Sequence, residues 1–547
     1  MTDGSCQRWT HGRRHGGLRS KARDAGRCDR LRAAVSSPRM VEAASGELRS
    51  DSAAGRWVIL TTVLGAGMAF LDGTVVNIAL PRIGQDLDAS FAGLSWIANG
   101  YLLTLASLIL VGGAVGDRVG RRRTYLAGAV GFALASLLCA LAPSVEGLVA
   151  ARLLQGVGGA FLVPGSLALI QTSFHPDDRA KAIGAWAGLA GVTTAIGPFL
   201  GGWLVEVASW RWVFLLNLPL AVVVVVVGLR HLPESRDPTV VGRPDLAGAA
   251  LGVLGLAGAT YGLIEENVPI GVLGLAVLVA FVVAEGRNAH PMMPLSVFRS
   301  RQFSGANGVT FAVYGALGAV LFLLSLVLQV ALGYSPLAAG SATVPLTLVM
   351  LALSSRSGAL ARRIGPRIPM TVGPSVITVG LLLMLRIEVG GSYVTQVLPA
   401  LLVFSAGLVT TVAPLTATVL AATDERHAGV ASGINNAVSR TAGLLAVAAL
   451  PLVAGFDASG SVGPAALLDG FHRAVLVGAG LTAVGAAVAA LTIRADVLVI
   501  DGDGDGDQGV AVPSGAGEGE AAPEPCFHCA VSGTPPPVER PSATMAD

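Results

Sequence analysis

Fourteen apolar runs, each near the length needed to cross a lipid bilayer, fill the chain between residues 56 and 494. They lie near 57–80, 94–114, 124–142, 147–172, 183–206, 211–229, 246–265, 268–285, 304–330, 337–356, 368–388, 394–421, 428–454 and 471–493. A helix crossing the hydrocarbon layer needs about 20 such residues. Lipid offers no partners to backbone N–H and C=O groups, so runs of this kind fold as helices that satisfy themselves. The predicted fold class is therefore all-α and integral to a membrane. Composition agrees, with 53% hydrophobic and only 13% charged residues, against about 25% charged in an ordinary soluble domain.

The basic residues are placed unevenly. Links after even-numbered runs hold seventeen, from Arg118 to Arg426, whereas links after odd-numbered runs hold at most four: Arg82, Arg211, Arg386 and Arg473. Loops on the cytoplasmic side accumulate Lys and Arg. An even number of spans then puts both termini in the cytoplasm, and the chain is expected in the cytoplasmic membrane as a multi-pass protein. The alternation also supports the count, since removing one helix would scramble it.

Outside this region the chain is polar. Residues 1–55 are Arg-rich and lack the apolar core of a secretory signal; they are expected to be disordered, with Met40 as a credible true start. Residues 495–547 are rich in Gly, Pro and acidic residues and are also expected to be disordered. The Asp-Gly repeat from Asp501 imitates the start of a calcium loop, but its twelfth position is Val512 where a bidentate Glu is required. Cys526, His528 and Cys529 fall short of the four ligands of a closed zinc site. No metal and no cofactor are expected. No phosphate-cradling loop of the Walker type is present, and no His lies centrally in a span, which argues against ATP-driven transport and against membrane-embedded enzyme chemistry with catalytic residues.

A repeat is concealed in two links. Gly113-Ala114-Val115-Gly116-Asp117-Arg118-Val119-Gly120-Arg121-Arg122 follows span 2, and Gly358-Ala359-Leu360-Ala361-Arg362-Arg363-Ile364-Gly365-Pro366-Arg367 follows span 10. They match by residue type, position by position. Such duplication fits a transporter made of two related bundles that rock about a central site. Residues Gly113 to Arg122 resemble the signature loop between the second and third helices of the major facilitator superfamily. Leu71 to Pro81, Arg152 with Gln155-Gly156, Gly197 to Gly202 and Trp210 to Pro219 resemble stretches of its fourteen-span drug:proton antiporter branch. Thr193 departs from that pattern, which often has Gly there. The resemblance covers residues 57–493. It implies two six-helix bundles with two additional central helices: 56–230 as the first bundle, 231–300 as a linker with the extra helices, and 301–494 as the second bundle.

Charged groups at membrane depth are costly and mark function by default. Asp72 in span 1 and Arg152 in span 4 fall at comparable depth because the two spans run in opposite directions. A carboxylate whose burial and cationic partner change between conformations can load and release a proton. The resemblance gives the same roles, Asp72 as protonation site and Arg152 as its electrostatic modulator; a static ion pair pinning two helices is the plainer reading. Asp117 and Arg121, with Gly113, Arg118 and Gly120, are expected to form a conformational lock. Gly197, Pro198, Gly201 and Gly202 form a small-residue packing motif that the resemblance associates with export, and Gly184 and Gly188 form a second small pair. Asn77, Gln155, Asn436 and Arg440 are candidates for the cavity wall, although Arg440 could equally bond carbonyls between helices. Glu206, Glu265, Glu266 and Glu285 lie at span ends and read as solvated. The expected function is proton-gradient-driven export of small hydrophobic or cationic compounds such as drugs and antibiotics. Alternatives are an exporter dedicated to one metabolite and a transport-dead sensor. A monomer in the lipid bilayer is expected, with small hydrophobic substrates and no nucleic-acid partner.

Overall fold

The computed structural model describes residues 48–236, 245–288, 291–422, 428–456 and 462–495. The proposed start at Met40, the Asp501 repeat and the Cys526–Cys529 group lie outside the described residues. Among those described, the helices that matter are α1 (Ala53–Leu87), α2 (Phe91–Val119), α3 (Arg121–Leu141), α4 (Val145–Ser173), α5 (Pro176–Val207), α6 (Arg211–His231), α7 (Leu246–Ile264), α8 (Val268–Arg287), α9 (Arg301–Ala331), α10 (Pro336–Ile364), α11 (Arg367–Met384), α12 (Tyr393–Ala421), α13 (Ala428–Ala448) and α14 (Pro464–Thr492). Thirteen of them are long and apolar enough to cross a membrane. The exception is α13. It is a helix of 21 residues, but Asn435, Asn436, Ser439 and Arg440 give it a polar face that lowers its hydropathy.

Helix starts follow local chemistry. Ser52, Ser90 and Ser144 cap α1, α2 and α4, each hydroxyl accepting from the backbone N–H three residues on, at 3.0, 3.1 and 3.2 Å. These bonds satisfy donors that the first turn leaves free. The duplicated links end alike: Gly120 and Gly365 hold the same position in the repeat and both take positive φ, 128° and 78°. A side chain is strained there, so glycine permits the sharp turn into α3 and α11. The first helix also starts earlier than expected, and residues just before it are placed. Leu48 pairs with the end of α4, its N–H donating to Ser173 O at 3.0 Å while its C=O accepts from His175 N at 3.1 Å. Arg49 meets Asp178 at 3.1 Å. The disorder expected through residue 55 therefore does not extend over this stretch.

Helices α1 to α6 pack on one another, with α4 against α2 and α3, and α1 against α5 and α6. Helices α9 to α14 do likewise, with α9 against α13 and α14, and α11 against α12 and α14. The α7–α8 hairpin leans through α7 on α2 and α13, one helix from each set. Its two helices approach at glycines: a Cβ on Gly262 would stand 2.3 Å from Gly271 Cα.

The two sets meet closely at the end away from the arginine-rich links. Ser325 Oγ of α9 donates to Asn77 O of α1 at 2.8 Å, and Gln329 Nε2 donates to Ile78 O at 3.0 Å. Contacts of α5 with α10 concentrate in Pro336–Ala342, the first stretch of α10. Beyond it, Ala361 is the only residue of Val344–Ile364 that is fully buried. On α5, Cβ atoms placed at Gly184, Gly188 and Gly191 would meet nothing within 4 Å. The Gly184/Gly188 pair thus makes no helix contact here, contrary to its small-residue spacing. Helices α5 and α10 touch at one end and part toward the arginine-rich end.

Candidate functional site

Asp72 sits mid-helix in α1, and its side chain is fully buried. The carboxylate is bonded by three side chains from two helices. Its Oδ2 accepts from Arg152 Nη1 of α4. Its Oδ1 accepts from Gln155 Nε2, one turn along α4, at 2.7 Å and from Asn217 Nδ2 of α6 at 3.3 Å. Gln155 and Asn217 in turn donate to Ser136 Oγ of α3 at 2.9 and 3.3 Å. Arg152 is held on its other sides: Nε donates to Ile97 O of α2 at 3.1 Å, Nη1 also donates to Gln155 Oε1 at 2.7 Å, and the guanidinium lies 4.6 Å from the Tyr101 ring centroid. A buried charge that keeps both a counter-ion and hydrogen bonds escapes most of the cost of leaving water.

The pairing of Asp72 with Arg152 was readable from depth alone, whereas Asn217 and Ser136 were not singled out. The signal for Asn217 is a polar amide at the start of an otherwise apolar run. Leu216, between Arg211–Leu215 and Asn217–His231, keeps helical backbone angles of φ −55° and ψ −31°, and the side chain of Asn217 faces the carboxylate. Ser136 carries no signal, since serine is common in membrane helices.

Beside this network a small cavity of about 70 Å³ lies between the two helix sets, lined in part by Asn77, Tyr101, Arg152, Phe322 and Gly443. Asn77 and Arg152 thus share one cavity, with Gln155 and Asp72 behind its wall. Arg440 of α13 sits one turn from Gly443, its guanidinium 5.2 Å from the Phe70 ring centroid of α1. It makes no ion pair among the described residues, and its buried Nε has no hydrogen-bond partner, so the carbonyl-bonded alternative does not hold for that nitrogen. Asn436 differs: its amide donates back to Ser432 O of the same helix at 3.2 Å.

Residues 62–448 match the Major Facilitator Superfamily. The chain belongs to that superfamily. A probable actinorhodin transporter of Streptomyces coelicolor is 35% identical over 443 residues, 77% of this chain and 76% of that one. Multidrug resistance protein Stp of Mycobacterium tuberculosis is 34% identical over 390 residues, 69% of this chain and 72% of its own. A solved peptide transporter in complex with sulfate aligns at a TM-score of 0.62 over 83% of this chain and 98% of that one; at 14% identity it speaks for the fold alone. This facilitator is a multi-pass membrane transporter.

In this facilitator the signature loop joins α2 to α3 and is braced from one side. Arg121 bonds Asp117 within the loop at 2.7 Å through Nη2 and 2.8 Å through Nε. Its backbone N–H donates to Ser235 O at 3.0 Å, and Arg122 N donates to Glu234 Oε1 at 3.2 Å. Arg123 approaches the same carboxylate at 3.5 Å. Glu234, past the end of α6, was not singled out from sequence, and it shows that the loop rests on the segment leaving α6. A Cβ at Gly120 would stand 2.5 Å from Glu234 Oε1 and displace that brace, and the positive φ strains any side chain there. Arg118 donates to Ala114 O at 3.3 Å, and a Cβ on Gly113 would meet Pro164 at 3.8 Å.

The small-residue motif of α5 packs on two partners. Cβ atoms on Gly197 and Gly201 would stand 2.1 Å from Thr74 Oγ1 and 2.7 Å from Val75 Cγ1 of α1, while one on Gly202 would stand 2.3 Å from Pro336 O of α10. Pro198 is approached by Gly340, whose Cβ would lie 2.1 Å from Pro198 O. Thr193 touches Gly67 of α1, so the variant position still serves a helix contact. Three of the four glutamates at span ends, Glu206, Glu265 and Glu266, are exposed, whereas Glu285 is buried. Glu206 accepts from Leu337 N at 3.0 Å and Glu265 from Trp96 Nε1 at 2.7 Å. Glu285 is 2% exposed and accepts from Met293 N at 2.8 Å.

Proposed function

We propose that this facilitator exports small hydrophobic compounds, antibiotics among them, in exchange for protons, with Asp72 as the proton carrier. The observation that carries the reading is the fully buried Asp72 carboxylate, bonded at once to Arg152, Gln155 and Asn217. Adding a proton there removes the counter-charge of Arg152 and one acceptor from each amide. The contacts joining α1, α4 and α6 therefore depend on protonation, which is the property a coupled transporter needs. The arginine-rich end is assigned to the cytoplasm by the excess of basic residues in its links. With α5 and α10 parted at that end, the arrangement corresponds to a state open to the cytoplasm. Arg152 acts on the carboxylate, Asp117 and Arg121 bias the exchange between states, and Gly197 to Gly202 let α5 close against α1 and α10. No bound cofactor takes part, and one chain suffices. A relative named for the export of one compound, the probable actinorhodin transporter, favours a second reading in which the substrate range is narrow.

The test uses energised inverted vesicles carrying wild type or Asp72→Asn, with neutral antibiotics and lipophilic ions as added substrates. Collapse of the proton gradient by a substrate in the wild type and not in the variant is the expected result. Equal responses in both would make Asp72 a structural ion-pair partner and remove the coupling role.

A further inference from the structure

Within the membrane-spanning part of the bundle, the charges have unequal access to substrate. Asp72 is fully buried and its oxygens are occupied by Arg152, Gln155 and Asn217. Arg152 contributes to the wall of the small cavity, but it is 1% exposed and its charge is paired with that carboxylate. Arg440, near the middle of α13, is only partly buried and lacks an acidic partner among the described residues. It lies where the two helix sets meet, with its guanidinium 5.2 Å from the Phe70 ring centroid of α1. The neighbouring polar groups leave it unneutralised: Asn435 Oδ1 accepts from Thr310 Oγ1 at 2.7 Å, and the Asn436 amide is turned back to Ser432 O. A charge held at this depth without a counter-ion is costly. A ligand that brings the opposite charge relieves that cost.

The geometry points to Arg440 as the residue that reads substrate charge, and to planar aromatic compounds bearing an acidic group, a carboxylate or phenolate, as the preferred class. This inference rests on the export reading and narrows it, turning the expected tolerance of cations into a preference for anions. The planar guanidinium suits both parts of such a ligand: an N–H fork bonds an anion, and a guanidinium lies against an aromatic ring, as that of Arg440 does 5.2 Å from Phe70. A lipophilic cation meets the same positive charge without compensation, because the buried Asp72 carboxylate is already paired with Arg152. Exchange of a monoanion outward for one proton inward moves two charges in the same electrical sense, so export of this class is driven by membrane potential as well as by the pH difference.

The test is binding to the purified full-length protein of three probes built on one anthracene ring, carrying a carboxylate, a carboxamide or a trimethylammonium group, followed by fluorescence. Wild type is expected to bind the carboxylate about tenfold or more tighter than the carboxamide, with the ammonium probe weakest. Arg440→Gln should bring carboxylate and carboxamide to within about twofold of each other, while Arg440→Lys keeps the order with a smaller gap, since it retains charge and loses the planar fork. A wild type that binds the ammonium probe as well as the carboxylate, or an Arg440→Gln protein that keeps the carboxylate preference, would overturn the assignment. If the Gln variant does not fold, the wild-type ranking and the Lys variant decide. Export is read separately, by proton-driven movement of the neutral carboxamide in proteoliposomes. Failure there removes the export reading while the binding order still judges Arg440.

Discussion

Asp72 holds its bonds because three side chains from two helices converge on it, and each has a different stake. Arg152 supplies charge, Gln155 bridges to Ser136, and Asn217 ties in α6. Removing a donor from a buried acceptor costs about 1–3 kcal/mol. Asn217→Leu is therefore expected to keep expression and membrane insertion but to lower proton-coupled transport several-fold, measured as substrate-dependent proton flux, while Asn217→Gln retains part of it. Normal flux in the leucine variant would mean that the Asn217 contact is incidental. Asp72 and Arg152 were legible as a pair because charges are rare in spans and their depths could be counted along helices of known rise. Asn217 was not, because one amide early in an apolar run does not show which neighbouring helix its face will meet.

At the scale of elements, backbone approach decides which helices form the closed end. The first turns of α10 lie on α5 so closely that Gly340 presses against Pro198 O, and Gly202 against Pro336 O. Small residues allow this where lipid gives no hydrophobic drive for helices to associate. Gly340→Val places a branched side chain at a contact with rigid backbone. The expected outcome is loss of transport with preserved folding, and increased labelling of a cysteine introduced at Ser325 by an impermeant maleimide, since the α1–α9 contacts share that end. Unchanged labelling would mean that the α5–α10 contact does not hold the end shut. The spacing of Gly184 and Gly188 looks like the same device, yet a Cβ at either would meet nothing within 4 Å. Spacing reveals that a close approach is possible, and only the partner's position makes it one.

For the molecule as a whole, the two helix sets are joined at one end and parted at the other, so transport requires the joints to be exchanged. Asp117 and Arg121 lie in the signature loop at the parted end, braced by Ser235 and Glu234 from the segment after α6. A contact of this kind shifts the balance of states by its differential strength in them. Asp117→Asn is accordingly expected to reduce turnover several-fold with little change in substrate affinity, checked by transport rate against equilibrium binding on the same preparation. A loss of affinity equal to the loss of rate would place Asp117 in substrate binding instead.

The amino-acid sequence was enough to establish the helical class, the positions of the spans, the asymmetry of basic residues and the repeat, because each follows from local hydropathy, charge counts or pattern. The turn glycines Gly120 and Gly365 belong there too, since positive φ is a local demand. The clustering of Asn217 and Ser136 around Asp72, the brace at Glu234, the burial of Glu285 and the isolation of Arg440 depend on which faces of distant helices meet. Helix periodicity gives a residue's face but not the neighbour that face will find, and for polar groups in a membrane the neighbour decides whether a charge is paired, bonded or left for a ligand.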